Sequence, residues 1–411
     1  MDIPDSRRRG LLFGAALSPF AAPALVSAAQ AGDAPQDPPT DQIDLTHAYP
    51  FYGPGPQAGI ATPPQRHIVY MTFDLTSTDP RDLQILLARW SASIAQMMKG
   101  EPISKVDPGR PNAGALDTGE ALDLAPASLS VTVGLGPGVF DDRLGLQAFR
   151  PKALRPLKHL PGDALLPEIS GGDLSLQACA DDPQVAYHAV RVLARLAKST
   201  GTAATRWAIM GFGRASAGVG QSTPRNLLGF RDGTRNIVTE QDRAKFVWSD
   251  NPGWGAGGSY QVVRKIRMFI ESWDTDRVDD QNEVFGRFKV SGAPLTGTHE
   301  FDTPDFKAQG PHGPVIPANA HMRLAAHEHH NGLKILRRGY NYTDGINSLG
   351  MLDAGLLFLS YQNDPHAFET LQTRLGASDA LNEYISHIAS GVFFVPPAPP
   401  EGSYIGAHMF A

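Results

Sequence analysis

Residues 174–183 read LSLQACADDP, and residues 356–365, 182 positions later, read LLFLSYQNDP. Each stretch is a run of strand-forming residues that closes on an Asp-Pro pair. Asp-Pro is a helix start, because the carboxylate can accept from the first free backbone N–H groups and proline suits the first turn. The same offset places Leu193 on Leu375. A strand and the helix after it therefore occur twice, which points to an internal duplication.

The neighbouring segments extend the match. In the first half, residues 67–75 (HIVYMTFDL) alternate and are rich in β-branched residues, as a strand should be. Residues 79–98 carry a helical period behind another Asp-Pro. Strands are expected at 129–135, 173–179 and 207–212, with a helix at 183–198. In the second half, strands are expected at 260–271, 333–340, 355–361 and 392–395, with helices at 274–288 and 365–375. Each half reads β-α-β-β-α-β, the order of a ferredoxin-like fold. The expected class is α+β: two ferredoxin-like domains, 66–225 and 226–411, with antiparallel sheets and helices. The Pro- and Gly-rich segments 150–172 and 294–317 read as loops walling a deep site between or beneath the domains.

The N-terminus reads as a targeting segment. Residues 6–12 (SRRRGLL) form a twin-arginine pattern, an apolar run covers 11–26, and Ala29-Gln30-Ala31 offers small residues for cleavage. The run holds Pro19 and Pro23 and is too short for a stable transmembrane span. Residues 1–31 are therefore expected to be a signal peptide for twin-arginine export to the periplasm, a route used by proteins that fold before crossing, often around a cofactor. Residues 32–65, rich in Pro, Asp, Gln and Gly, read as a flexible, exposed lead-in. Loss of the signal moves the formal charge from -6 to -7, and a mildly acidic surface argues against nucleic acid as a partner. Cys179 is the single cysteine, so no intramolecular disulfide can form. The fold must rest on its core, which ~380 residues can supply.

Three polar features carry chemistry. GFRDGT at 229–234 sets Asp232 between glycines, either a plain Asp-Gly turn or a carboxylate aimed into a cavity. His321, in IPANAHMRL (316–324), has a small and apolar neighbourhood that suits a core histidine, a general base or a metal ligand. Arg337, in ILRRGYNY (335–342), lies on an apolar strand. If buried, it needs an anion: Asp232, a haem propionate, a reacting oxyanion or an ordinary salt-bridge partner. Arg338 should face the other way. Together, an acid, an arginine and an imidazole able to hold iron fit heterolytic cleavage of a peroxide. HEHH at 327–330 reads as a solvated loop or a surface metal site. Trp248, Trp254, Trp273, Tyr340 and Tyr342 read as packing residues or as electron relays to bulky donors.

Taken in order, GFRDGT, AHMRLA (320–325), the ILRRGYNY strand sixteen residues after the histidine, GLLFLSYQ (355–362) and GVFF (391–394) resemble the signature of the dye-decolourising peroxidases. The resemblance runs from about residue 67 to 397, and the twin-arginine leader is similar to that of the branch holding the deferrochelatase/peroxidase subunit of bacterial iron uptake. It implies one haem b (iron protoporphyrin IX) per chain, held mainly by the C-terminal domain. His321 would be the axial ligand, Asp232 the catalytic acid and Arg337 its partner. Leu356 and Phe358 would close the pocket, Asn236 would touch the haem edge and Arg323 a propionate. Asp353 is the expected carboxylate behind His321. The implied activity is reduction of hydrogen peroxide and oxidation of small or bulky one-electron donors such as phenolics and dyes. The alternatives are a deferrochelatase that frees iron from an intact porphyrin, and a non-catalytic haem- or iron-binding transport partner. Iron-uptake components of the envelope are the implied partners, and a homodimer is left open.

Overall fold

The chain was described from a computed structural model, which covers residues 43–110, 112, 114–213 and 223–410. The segment read as a signal peptide lies outside these residues. The first half forms β1 (His67–Leu75), α1 (Pro80–Met97), β2 (Ser130–Leu135), β3 (Leu174–Ala180), α2 (Pro183–Ser199) and β4 (Ala203–Phe212). Both Asp-Pro starts work as read. The Asp79 side chain accepts from Arg81 N, and that of Asp182 accepts from Gln184 N and Val185 N. Both helices bury an apolar face against the sheet, with Trp90 of α1 set on Phe73 of β1.

The second half holds α3 (Glu240–Phe246), β5 (Ser259–Met268), α4 (Ile270–Asp274), α5 (Val278–Phe285), the two-residue strands β6 (Gln309–Gly310) and β7 (Gly313–Pro314), α6 (His321–Leu324), β8 (Leu336–Arg337), β9 (Tyr340–Ile346), β10 (Leu352–Gln362), α7 (Pro365–Ser378) and β11 (Ile385–Val395). The long helix expected at 274–288 is replaced by two short ones, and the strand before it stops at Met268. The strand expected at 333–340 starts at Leu336, breaks after Arg337 and runs on to Ile346. Both pieces keep one register along β10, with Arg337 opposite Ser360 and Tyr340 opposite Leu357.

Strand order within the halves is the same: β2-β3-β1-β4 and, in the strands related by the duplication, β9-β10-β5-β11. All these pairings are antiparallel. The halves are not separate bodies, however. β4 pairs with β9 and β2 with β11, so eight strands close into a barrel within one compact unit, Gln42–Ala411. Its interior is filled by Tyr70, Trp207, Tyr340, Tyr342, Leu357, Leu359 and Phe393.

Residues 43–65 depart from the exposed lead-in expected of them. Phe51 and Ile60 are buried, and the Gln57 amide exchanges hydrogen bonds with Val133 of β2 while donating to Pro396 O just beyond β11 (2.9 Å). That seam has a single β2–β11 residue pair, Leu135–Phe394, so backbone groups there need outside partners. Polar composition therefore marked a segment that pairs a seam, not one in solvent. Among the described residues, no helix is long and apolar enough to cross a membrane.

Candidate active site

On β10, residues alternate between the barrel interior and its outer face. Leu357 and Leu359 point in, so Leu356 and Phe358 point out, beside Ile266 and Met268 of β5. This outer face floors a cavity of about 250 Å³, or about 1650 Å³ with its open mouth. Phe368, Leu371 and Leu375 of α7 form an apolar wall, and every lining residue lies between Asn226 and His387. The cavity thus belongs to the C-terminal half and lies on one sheet face, not between two domains.

The GFRDGT loop forms one side. Gly229 (φ 85°) and Gly233 (φ 132°) both occupy the left-handed half of backbone space, and a Cβ on Gly229 would stand 2.6 Å from Lys289 Cε. These glycines let the loop turn back on itself, with Asp232 N donating to Pro224 O (2.8 Å). The Asp232 carboxylate lines the cavity, with Oδ1 3.7 Å from Arg337 Nη1. Arg337 Nη2 donates to Thr234 O (3.0 Å), which ties the arginine to the same loop. Arg338 does face away: it is buried and donates to Thr62 O, Pro63 O and Gln65 Oε1.

Asn236 does not line the cavity. Its side chain accepts from Arg337 N (2.9 Å) and donates to Arg337 O (2.8 Å), so it acts as a strand partner for the short β8. It thereby holds the backbone of Arg337 in place. Arg323 likewise lies off the cavity wall. It donates to Ile316 O (2.8 Å) and lies over the Phe306 ring.

His321 begins α6 and lines the cavity. Its Nδ1 is 2.6 Å from Asp379 Oδ2, and the other Asp379 oxygen accepts from Leu381 N. Asp379, not Asp353, is therefore the carboxylate behind the histidine. Asp353 is bound by Arg267 through two hydrogen bonds of 2.9 and 3.0 Å. Burial disfavours a charged His321 ring, but the Asp379 carboxylate outweighs this and raises the imidazole above its usual pKa. Nε2 makes no hydrogen bond among the described residues and is the nitrogen left for a ligand. The α6 turn approaches α5 closely at Gly286, which is left-handed (φ 76°). A Cβ there would lie 2.8 Å from Met322 Cγ and 3.2 Å from Ala320 Cβ. Gly286→Ala should displace the His321 turn and cost about 1–3 kcal/mol by overpacking, read as a lower denaturation midpoint.

His387, on β11, is buried in the floor beside Arg264, which is itself paired with Asp163. Burial, and then the Arg264 charge, push its pKa down to about 3 from an ordinary 6.5. Between those values the unfolded chain binds a proton that the folded chain does not. Stability should therefore fall by about 1.4 kcal/mol per pH unit through this group as pH drops below about 6.5. Calorimetry across that range should show a shallower decline for His387→Gln than for the parent.

In the 327–330 cluster, His327 lines the cavity next to Arg235 and Glu328, His329 stands against Phe306, and His330 Nε2 bonds Leu324 O. No group of three or more potential metal ligands exists among the described residues. Trp273 is packed against Phe285, Phe230 and Tyr384.

A cavity with apolar walls, an acid–arginine pair and a carboxylate-backed imidazole is the equipment of a haem peroxidase. Residues 57–213 match the family "Dyp-type peroxidase, N-terminal" and residues 223–399 match "Dyp-type peroxidase, C-terminal". Deferrochelatase of Yersinia pestis is 38% identical over 98% of this chain and 94% of its own. That of Escherichia coli K12 is 37% identical over 88% of this chain and 86% of its own. An oxyferrous complex of DtpA from Streptomyces lividans superposes with a TM-score of 0.82 at 38% identity, covering 89% of this chain and 98% of that one. A DyP-type peroxidase from Cellulomonas bogoriensis gives 0.80, also at 38%, with the same coverages. The chain belongs to the Dyp-type peroxidase family and is an oxidoreductase of the peroxidase class.

Proposed function

We propose that this chain binds one haem b in the cavity, through His321, and uses it to reduce hydrogen peroxide at the expense of phenolic or dye-like one-electron donors. The observation that carries this reading is the Asp379–His321 pair in the same cavity as Asp232 and Arg337. A histidine whose Nδ1 is held by a buried carboxylate has a fixed tautomer and a more basic Nε2, as axial imidazoles need. When bound, the haem supplies a redox-active iron with a coordination position for peroxide. The apolar walls suit the porphyrin plane. Asp232 takes a proton from one peroxide oxygen and delivers it to the other, and the Arg337 guanidinium stabilises the charge that develops between those events. At 3.7 Å the two side chains interact as charges without a direct hydrogen bond, so the Asp232 carboxylate keeps a free oxygen to accept from a bound peroxide. Leu356 and Phe358 keep bulk water from the reacting oxygens. Bulky donors, which cannot enter, deliver electrons at the surface.

The deferrochelatase reading is favoured by the name that the relatives at 37–38% identity carry. The same cavity would then hold haem as a substrate, from which iron leaves while the porphyrin stays intact. Simple haem or iron carriage needs neither Asp232 nor Arg337. The twin-arginine pattern supports a periplasmic setting next to iron-uptake components. Export can be checked by sequencing the mature N-terminus.

One experiment tests the central reading: an absorption spectrum of protein purified with haem supplied. A Soret band that persists through gel filtration at one haem per chain is expected, and its absence sinks the proposal. Extraction of the pigment after incubation with a reductant separates the two activities, because only a deferrochelatase yields free protoporphyrin.

A further inference from the structure

Arg287 is a buried cation of the cavity without a carboxylate among the described residues. It is 8% exposed and lines the cavity directly after Gly286, the left-handed end of α5. Its Nη1 donates to Gly292 O (2.6 Å) and Glu300 O (3.0 Å), while Nε and Nη2 make no hydrogen bond among the described residues. The nearby Glu300 carboxylate is already engaged by Thr234 Oγ1 (2.7 Å) and Arg231 Nε (3.2 Å). Burial, together with the like charges of Arg235 and Arg337, pushes the Arg287 guanidinium down to about 10. Those two neighbours each have an acid of their own, Glu328 and Asp232. A desolvated guanidinium is expensive to hold on carbonyl dipoles alone, and it is stabilised most by an oxyanion that matches its planar fork.

Resting on the haem reading above, we propose that Arg287 anchors a carboxylate of the bound porphyrin. A haem is apolar except along the edge that carries its two propionates. The cavity wall offers both kinds of group: apolar residues of β5, β10 and α7 line it, and Arg235 and Arg337 stand close enough to Arg287 for their charges to act on it. A carboxylate on an anionic reducing donor has the same chemistry, so the test must separate the two sources.

The test is a titration of the haem-free protein with haem and with haem dimethyl ester, followed by the Soret band and by tryptophan quenching. The parent should prefer the diacid by roughly ten- to a hundredfold, the size of a charge-assisted hydrogen bond. Arg287→Met should bring that preference to within about twofold while leaving ester affinity unchanged, which also reports an intact fold. Arg323→Met, off the cavity, should keep the parent preference. If Arg287→Met keeps it too, the assignment is overturned. If instead the porphyrin preference survives while KM for an anionic phenol rises in the loaded enzyme, the carboxylate at Arg287 is the donor's and the proposal fails. A parent that binds neither porphyrin sinks the haem reading itself. Should Arg287→Met fail to bind even the ester, Arg287→Gln, which keeps a neutral polar group in place of the charge, carries the same comparison.

Discussion

The His321→Ala protein is expected to fold and to purify without a Soret band when haem is supplied, because it lacks the one cavity imidazole among the described residues that a buried carboxylate backs. Removing a partner behind a metal-bound histidine weakens metal affinity by about 10–100-fold, so deleting the ring itself should cost at least the upper end of that range. The fold should survive. His321 stands at the start of a single-turn helix, and its one strong side-chain contact is with Asp379. Asp379 keeps the hydrogen bond from Leu381 N when the ring is gone. Haem titration of the variant, with circular dichroism as the fold control, checks this. Imidazole added to the buffer should restore part of the binding if the ring is a ligand, and nothing if it only packs. Haem affinity equal to that of the parent would remove His321 from the site.

Asp232→Asn should retain haem and react with hydrogen peroxide more slowly by about 10²–10⁴-fold, the contribution of a positioned acid–base group. The substitution keeps shape and the Asp232 N bond to Pro224 O, so the loop should hold. What it removes is the ability to take up and release a proton. Rapid mixing of the loaded protein with peroxide, followed at the Soret band, separates this step from electron donation. Arg337→Leu should also slow the reaction, but it adds a disturbance of the Thr234 carbonyl that Arg337 holds. Asn236→Ala should act through Arg337, since the Asn236 side chain bonds both backbone groups of Arg337 in β8. A parent-like rate for Asp232→Asn would show that the proton moves by another route.

Much of this was legible before any coordinates. The Asp-Pro helix starts, the repeated strand order and the alternation on 67–75 depend on local backbone chemistry, so they read out from a linear chain. The helix of 274–288 failed because its central turn lacks a capped, continuous apolar face, and tertiary packing at Gly286 ended it early. Residues 43–65 differ from their composition for a similar reason: Gln57, polar in sequence, is the partner of a seam that exists only once β2 and β11 meet.

At the site, Asp232, His321 and Arg337 were found because each sits in a local motif with its own spacing. Asp379 and Arg287 were not. Asp379 lies 58 residues from His321 and is conspicuous only by its 2.6 Å contact. Arg287 is one arginine among many until burial and the prior engagement of Glu300 leave it without an acid. Asn236 and Arg323 are the converse case: their places in the motifs suggest a ligand, while their side chains are committed to backbone groups. The sequence by itself determined the duplicated α+β order and the three residues with chemical potential, because helix caps, strand alternation and residue type are local. Only the tertiary structure decided that the halves share one barrel, that the cavity lies on the outer face of the second half, and which charges there are paired. Those are questions of distance and desolvation between residues far apart in the chain.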